Sequence, residues 1–228
     1  MTTEKIETIY SKLIPPGNTL SEKEINELKS GGRTIKFNKK DVIFRQGTLT
    51  SHIMYLETGL IKIFKDGKNE RSIILKIATP GYFIGLVSIY GNNTFQYSAT
   101  AVEDSSVFFI DINTFNNILQ KNGAYALHIM RELCTDNLNI FQRILAQYQK
   151  QLPGKIADII LYFSEVIYKS IEFEFPLTRI ELAELAGTTK ESFIRTLTEF
   201  KNDKIIEIDG KLIKIKSIEI IKTLSRLG

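Results

Sequence analysis

Hydrophobic and polar positions change rhythm along the chain, and each change predicts a different kind of element. Apolar residues alternate with polar ones in short runs at 33–37, 41–45, 53–57, 60–65, 71–77, 97–101 and 106–110. Gly47, Gly59, Asp66-Gly67, Pro80-Gly81 and Gly91-Asn92-Asn93 separate these runs. A period of two broken by such residues predicts short strands joined by turns. Many of them in succession predict a small barrel or jelly roll. Two helices precede the strands. One runs over 3–13 and stops at Pro15-Pro16-Gly17; the other follows the capping signal Ser21-Glu22-Lys23-Glu24 and ends at Gly31-Gly32.

From about Asn113 to about Gln151 the pattern is helical. Cys134, Leu138, Phe141, Leu145, Tyr148 and Leu152 recur at alternating steps of four and three. That 3.5-residue period is the seam of a coiled coil, which predicts a homodimer formed through a long helix. The competing reading packs this face on the chain's own barrel, but Leu133, Ile140 and Ile144 form a second stripe suited to that task. Arg131 falls where the seam would extend, so pairing is expected to begin near Cys134. Leu152-Pro153-Gly154 reads as a hinge, with proline stopping the helix and glycine allowing a turn. A helix over 155–169 and an apolar–polar segment over 171–175 are expected next.

The last fifty residues carry the strongest pattern. Thr178 to Leu197 reads as two short helices, with Ala183 small where they touch and Gly187 supplying the positive φ between them. Leu182, Ala186, Phe193 and Leu197 form the face that pins the second helix across the first. Ile205 to Lys216 then alternates around Asp209-Gly210, a hairpin signal. Helix-turn-helix followed by a hairpin predicts a winged DNA-binding domain. A winged domain that contacts protein is the alternative.

The rest of the composition narrows the choice. The 228 residues carry a net charge of +4, two histidines and one cysteine. From Lys190 onward nine basic residues face six acidic ones, leaving +3 on the segment that would meet DNA. The lone cysteine, the absence of a signal-peptide pattern and charged interruptions in every apolar run predict a cytoplasmic protein with no membrane partner. Two distant histidines, one cysteine and no Gly-x-x-x-x-Gly-Lys loop argue against an enzyme, with no catalytic or metal-ligating set.

Order and content together resemble the CRP/FNR family of bacterial transcription regulators. The resemblance rests on Gly47, Gly59, Pro80-Gly81-Tyr82-Phe83-Ile84-Gly85, Ser98-Ala99 and the run from Thr178 to Leu197. It implies an α+β chain: a cyclic-nucleotide-binding-like jelly roll with N-terminal helices over 1–120, a dimerisation helix over 121–152, and a winged helix-turn-helix over 153–228. It also implies RNA polymerase as a partner and double-stranded DNA as the ligand of the helix over 189–202.

The family's base-reading glutamate and arginine fall on Glu191 and Arg195. Arginine can give two hydrogen bonds to guanine and glutamate can accept one from cytosine, while the i, i+4 spacing places both on one helix face. Thr189, Lys190, Thr178, Arg179 and Lys211 are expected at phosphates, with Lys214 a further wing candidate. Two alternatives stand beside this: a capping box between Thr188 and Glu191, and ion pairing of Arg195 with Glu191 or Glu199.

In the barrel, the family's cyclic-nucleotide pocket uses a glycine, a glutamate, an arginine and a serine. Gly85 and Ser98 keep two of these, but Leu86 and Tyr97 replace the charged pair, which disfavours cAMP. An iron–sulfur cluster lacks its cysteines. A haem held by His128, a thiol sensor at Cys134, an apolar metabolite in the barrel and no effector at all stay open, with plainer packing roles for both side chains beside them.

Overall fold

In the computed structural model, residues 20–67 and 72–228 are described; the helix expected over 3–13 lies outside them. The chain forms two compact units. One comprises the described residues up to Asp66 together with Lys76–Asn139, the other those of Gly67–Leu75 and Ile140–Gly228.

In the first unit, α1 (Glu22–Ser30) begins on the expected capping box, with the Ser21 side chain accepting from the Glu24 amide and the Ser21 amide donating to the Glu24 carboxylate at 2.7 Å. The strands follow as β1 (Gly32–Phe37), β2 (Val42–Phe44), β3 (His52–Thr58), β4 (Ile61–Asp66) and β5 (Ser72–Ala78). After them come β6 (Phe83–Ile84), β7 (Ser98–Ala101) and β8 (Ser105–Asp111). They form two four-stranded sheets ordered β1-β8-β3-β6 and β2-β7-β4-β5, the predicted jelly-roll architecture. β8 runs antiparallel to β1 from Gly32↔Ile110 to Phe37↔Ser105, and to β3 on its other side.

β3 is buried from Ile53 to Leu56 because it is covered on both faces. Ile53 and Tyr55 join Phe108 and Ile110 in a core roofed by helices. Met54 and Leu56 alternate with them and take the opposite face. The roof consists of α1, α2 (Leu86–Gly91), α3 (Ile112–Lys121) and the start of α4 (Gly123–Gln149), contributing Leu28, Ile89, Phe115, Ile118, Tyr125 and Ile129.

β6 and α2 were not expected from the pattern, and the helical stretch from Asn113 is two helices rather than one. Asn122 makes the break: its side chain accepts from the Tyr125 amide at 3.0 Å and donates to Glu24 at 3.0 Å.

In the second unit, the hinge reading of Leu152-Pro153-Gly154 is corrected. The break falls at Lys150-Gln151, and the three residues form the first turn of α5 (Leu152–Leu161), where proline has no amide to lose. Gly154 serves close approach instead: a Cβ there would stand 2.7 Å from Gly228 Cα and 3.0 Å from the Leu224 carbonyl oxygen. The helix expected over 155–169 thus starts earlier, and beyond Leu161 it relaxes into a π-helical turn at Tyr162–Ile167. The segment at 171–175 supplies β9 (Glu172–Glu174), which pairs with β11 (Leu212–Ile215). Together with β10 (Ile206–Asp209) these form a three-stranded sheet ordered β10-β11-β9. Between them lie α6 (Arg179–Ala186) and α7 (Lys190–Asn202). An unpredicted α8 (Ile218–Leu227) packs on α5 and buries Ile221.

Candidate nucleic-acid interface

α6 and α7 are joined by a three-residue turn whose chemistry is local. Thr178 caps α6 in a reciprocal box, accepting from the Glu181 amide at 3.2 Å while its hydroxyl donates to the Glu181 carboxylate at 2.8 Å. Gly187 ends α6 at φ 65°, ψ 38°, a conformation that penalises any side chain with a Cβ. Thr189 caps α7, its hydroxyl oxygen accepting from the Ser192 amide at 3.2 Å. Leu182, Ala183, Ala186, Phe193 and Leu197 are all buried, so the crossing of the two helices is made by the expected residues. Phe193 is accommodated there with no exposure.

Burial of Phe193, Thr196, Leu197 and Phe200 fixes which face of α7 looks outward. Lys190, Glu191 and Arg195 are exposed on it. The Thr188–Glu191 capping box does not form, because the cap is Thr189 and its partner three residues on is Ser192. Among the described residues neither Glu191 nor Arg195 is held by an ion pair or hydrogen bond, so the alternative pairing of Arg195 with Glu191 or Glu199 is absent too. Both side chains are free to meet a ligand.

The wing is the β10–β11 hairpin, closed by the two-residue loop Gly210-Lys211, one position later than the Asp-Gly pair suggested. Arg179 has a different place from the expected one. Its Nη2 donates to the Gly210 carbonyl at 2.6 Å, its guanidinium lies 5.6 Å from the Phe175 ring centroid, and Nη1 is buried. It ties the first turn of α6 to the tip of the wing. Lys214 is also engaged, in an ion pair with Glu172 at 3.0 Å that holds its ammonium pKa above the usual value. Lys211 stays exposed at the tip, and the hydroxyls of Thr178 and Thr189 are occupied as caps.

The apolar stripe of α4 faces outward. Leu138 is 61% exposed, Phe141 61%, Leu145 55% and Tyr148 87%, and Cys134 is exposed one turn before Leu138. The stripe reaches further back than the sequence reading placed it. Met130 and Leu127 are exposed as well, one step of four and one of three before Cys134, while Arg131 stands beside the stripe. A step of four back from Cys134, followed by one of three, carries the stripe to Met130 and Leu127. Leu133 of the second stripe packs on the helical roof as expected, whereas Ile144 is exposed.

In the barrel, Tyr97 meets the start of α2 at Gly85, whereas the side-chain bonds of Ser98 go to other residues. Gly85 starts α2, Leu86 is buried beside it, and the Tyr97 hydroxyl lies against the Ser88 side chain and the Gly85 backbone, where burial raises its pKa. Tyr97 also flanks Phe44, which stacks on Phe95 at 3.7 Å between centroids. Ser98 is already bonded: its oxygen accepts from the Gln46 amide at 3.0 Å, and its hydroxyl reaches the Asp66 carboxylate at 3.4 Å. A carboxylate at the phosphate-side serine, leucine for glutamate and tyrosine for arginine do not fit a cyclic nucleotide. A second polar group, missed in the sequence, lies where α4 passes: Asp136 receives Lys76 Nζ and, at 2.5 Å, the Tyr82 hydroxyl, with Lys76 Nζ 4.0 Å above the Tyr82 ring. His128 stacks on Tyr125, and His52 shares a hydrogen bond with Ser51.

Comparison with known proteins agrees with this architecture part by part. Residues 34–122 match the cyclic nucleotide-binding domain and residues 154–224 the Crp-like helix-turn-helix domain. The chain is 24% identical over 219 residues to the anaerobic regulatory protein of Bacillus subtilis (strain 168), covering 87% of each. It is 23% identical over 197 residues to the transcriptional activator protein FnrA of Stutzerimonas stutzeri, covering 84% of this chain and 79% of that one. Among solved structures, FixK2 from Bradyrhizobium japonicum superimposes with a TM-score of 0.78 at 16% identity, over 85% of this chain and 96% of that one. A CRP/FNR-family transcriptional regulator from Thermus thermophilus gives 0.67 at 19% identity, over 85% and 98%.

Proposed function

The chain belongs to the CRP/FNR family of DNA-binding transcription regulators, and from that premise we propose that it acts as a homodimer reading a pseudo-palindromic operator with α7. Dimer symmetry sets the two half-sites about 34 Å apart, one turn of duplex. In each half-site Arg195 donates to a guanine and Glu191 accepts from a cytosine amine. Lys190, the free amides at the start of α7 and Lys211 on the wing meet phosphates. Dimerisation uses the α4 stripe from Leu127 to Tyr148, and RNA polymerase is the downstream partner. The barrel answers to a signal other than a cyclic nucleotide.

The observation that carries this reading is the outward face of α7, where Lys190, Glu191 and Arg195 stand exposed opposite buried Phe193 and Leu197. The test is equilibrium binding of the full chain to an operator selected from random duplexes. Affinity should fall steeply with salt, with the slope of several released counterions. Arg195→Ala should cost about 1–3 kcal/mol on the selected site and relax preference at one base pair. Binding without a salt slope, or unchanged discrimination in the variant, overturns the assignment.

A further inference from the structure

Of the four large apolar residues in α7, Phe193, Leu197 and Phe200 are buried, while Ile194 is 39% exposed. Ile194 precedes Arg195 and lies three residues after Glu191 and four after Lys190, on the exposed side of the helix that carries those groups. Part of the side chain is already covered in the free domain, but isoleucine is β-branched and below average as a helix former, and the exposed part of its surface is not removed from water. That exposed part gains only when a ligand covers it.

In the major groove one base edge offers an apolar group, the C5-methyl of thymine. We infer that Ile194 is a specificity-determining residue that packs on a thymine methyl in each half-site, next to the base pair read by Arg195. Resting on α7 as the recognition helix, the inference adds an apolar element to a readout that is otherwise charged. An operator that keeps the Arg195 contact but lacks this thymine is discriminated against by lost apolar contact alone.

The experiment removes one methyl at a time. After operator selection with the full chain, each dT in a half-site is replaced by dU, and affinities are measured for the wild type and Ile194→Ala. Ile194→Ala leaves the buried face of α7 intact, and thermal unfolding of the variant is recorded beside the binding data. One dT→dU replacement should weaken the wild type about three- to fivefold per half-site, the size expected for losing one buried methyl contact. Ile194→Ala should bind the dT and dU operators equally.

Indifference of the wild type to every replacement, a selected site without thymine beside the Arg195 base pair, or equal dU sensitivity in both proteins overturns the inference. If Arg195→Ala still relaxes discrimination in that case, the recognition-helix assignment survives and only the role of Ile194 falls. If no sequence is enriched in the selection, both fall together.

Discussion

Arg179 Nη2 donates to the carbonyl oxygen of Gly210 at 2.6 Å, joining the first residue of α6 to the loop of the wing. A short bond from a guanidinium to a backbone carbonyl is charge-assisted and directional. The helix that supports the recognition helix and the hairpin that flanks it are therefore one piece. Arg179→Ala should lower the stability of the C-terminal unit by about 1.5 kcal/mol, the low end for a hydrogen bond to a charged group because the side chain is only partly buried. It should weaken binding to every duplex by the same factor, because it displaces phosphate contacts and no base reader. Denaturant unfolding together with affinities on matched and mismatched operators checks this; a selective loss on one base pair contradicts it.

Much of this architecture was legible because it rests on short-range chemistry. Alternation predicts seven of the barrel's eight strands and the hairpin of the wing, and the capping signal at Ser21 predicts a helix start, because each is decided within a few residues. β6 is two residues long and α2 is six, too short to show a period. The break at Asn122 depends on a side chain that caps one helix while reaching Glu24 on another, a long-range contact that no local pattern carries. Pro153 suits the end of one helix as well as the first turn of the next, and only the neighbouring backbone decides that it starts α5. In the site, Glu191 and Arg195 come from the family resemblance, and their spacing accounts only for the helix face they share. The inward turn of Arg179 and the Asp66 contact of Ser98 were not, since each joins residues more than thirty apart in sequence.

The exposed α4 stripe makes a second outcome measurable. Leu138 and Phe141 sit one step of three apart near its middle, each 61% exposed. Placing a charge at either would put like charges opposite one another across a two-fold axis, in a setting that otherwise removes apolar surface from water. Phe141→Asp should convert the dimer to monomer in sedimentation while leaving the circular-dichroism spectrum of the folded chain unchanged. Specific operator affinity should drop by orders of magnitude as the two half-sites uncouple. A variant that remains dimeric would move the interface elsewhere.

Glu57 offers a pH signature. It is buried in β3, and loss of hydration raises its pKa above 4.5, with a hydrogen bond from Thr34 opposing the shift. The folded state then holds a proton that the unfolded chain has already released. Stability is therefore undiminished below the unfolded pKa and falls as pH rises through the raised folded value. Glu57→Gln removes the titration. In denaturant unfolding across pH, the variant and the wild type should differ least below about pH 4.5 and diverge above it, with the variant the more stable near neutrality. A gap independent of pH would mean that Gln acts through packing and not through charge.

The Ser98–Asp66 contact leads to the last expectation. In a cyclic-nucleotide pocket the serine hydroxyl would donate to a phosphate oxygen; here it lies 3.4 Å from a carboxylate oxygen. A phosphate at that place would meet a like charge, and the position expected to hold an offsetting guanidinium is taken by the half-buried Tyr97. Addition of about 1 mM cAMP or cGMP should leave the thermal midpoint of the full chain unchanged. A ligand whose Kd exceeds its concentration adds less than about 0.4 kcal/mol. Restoring charge with Leu86→Glu and Tyr97→Arg should not by itself create binding, because Asp66 remains beside Ser98. Adding Asp66→Ala to that pair is the variant in which a cyclic nucleotide should first raise the midpoint. A rise in the wild type would show that Asp66 swings away from Ser98 and that the pocket accepts phosphate after all.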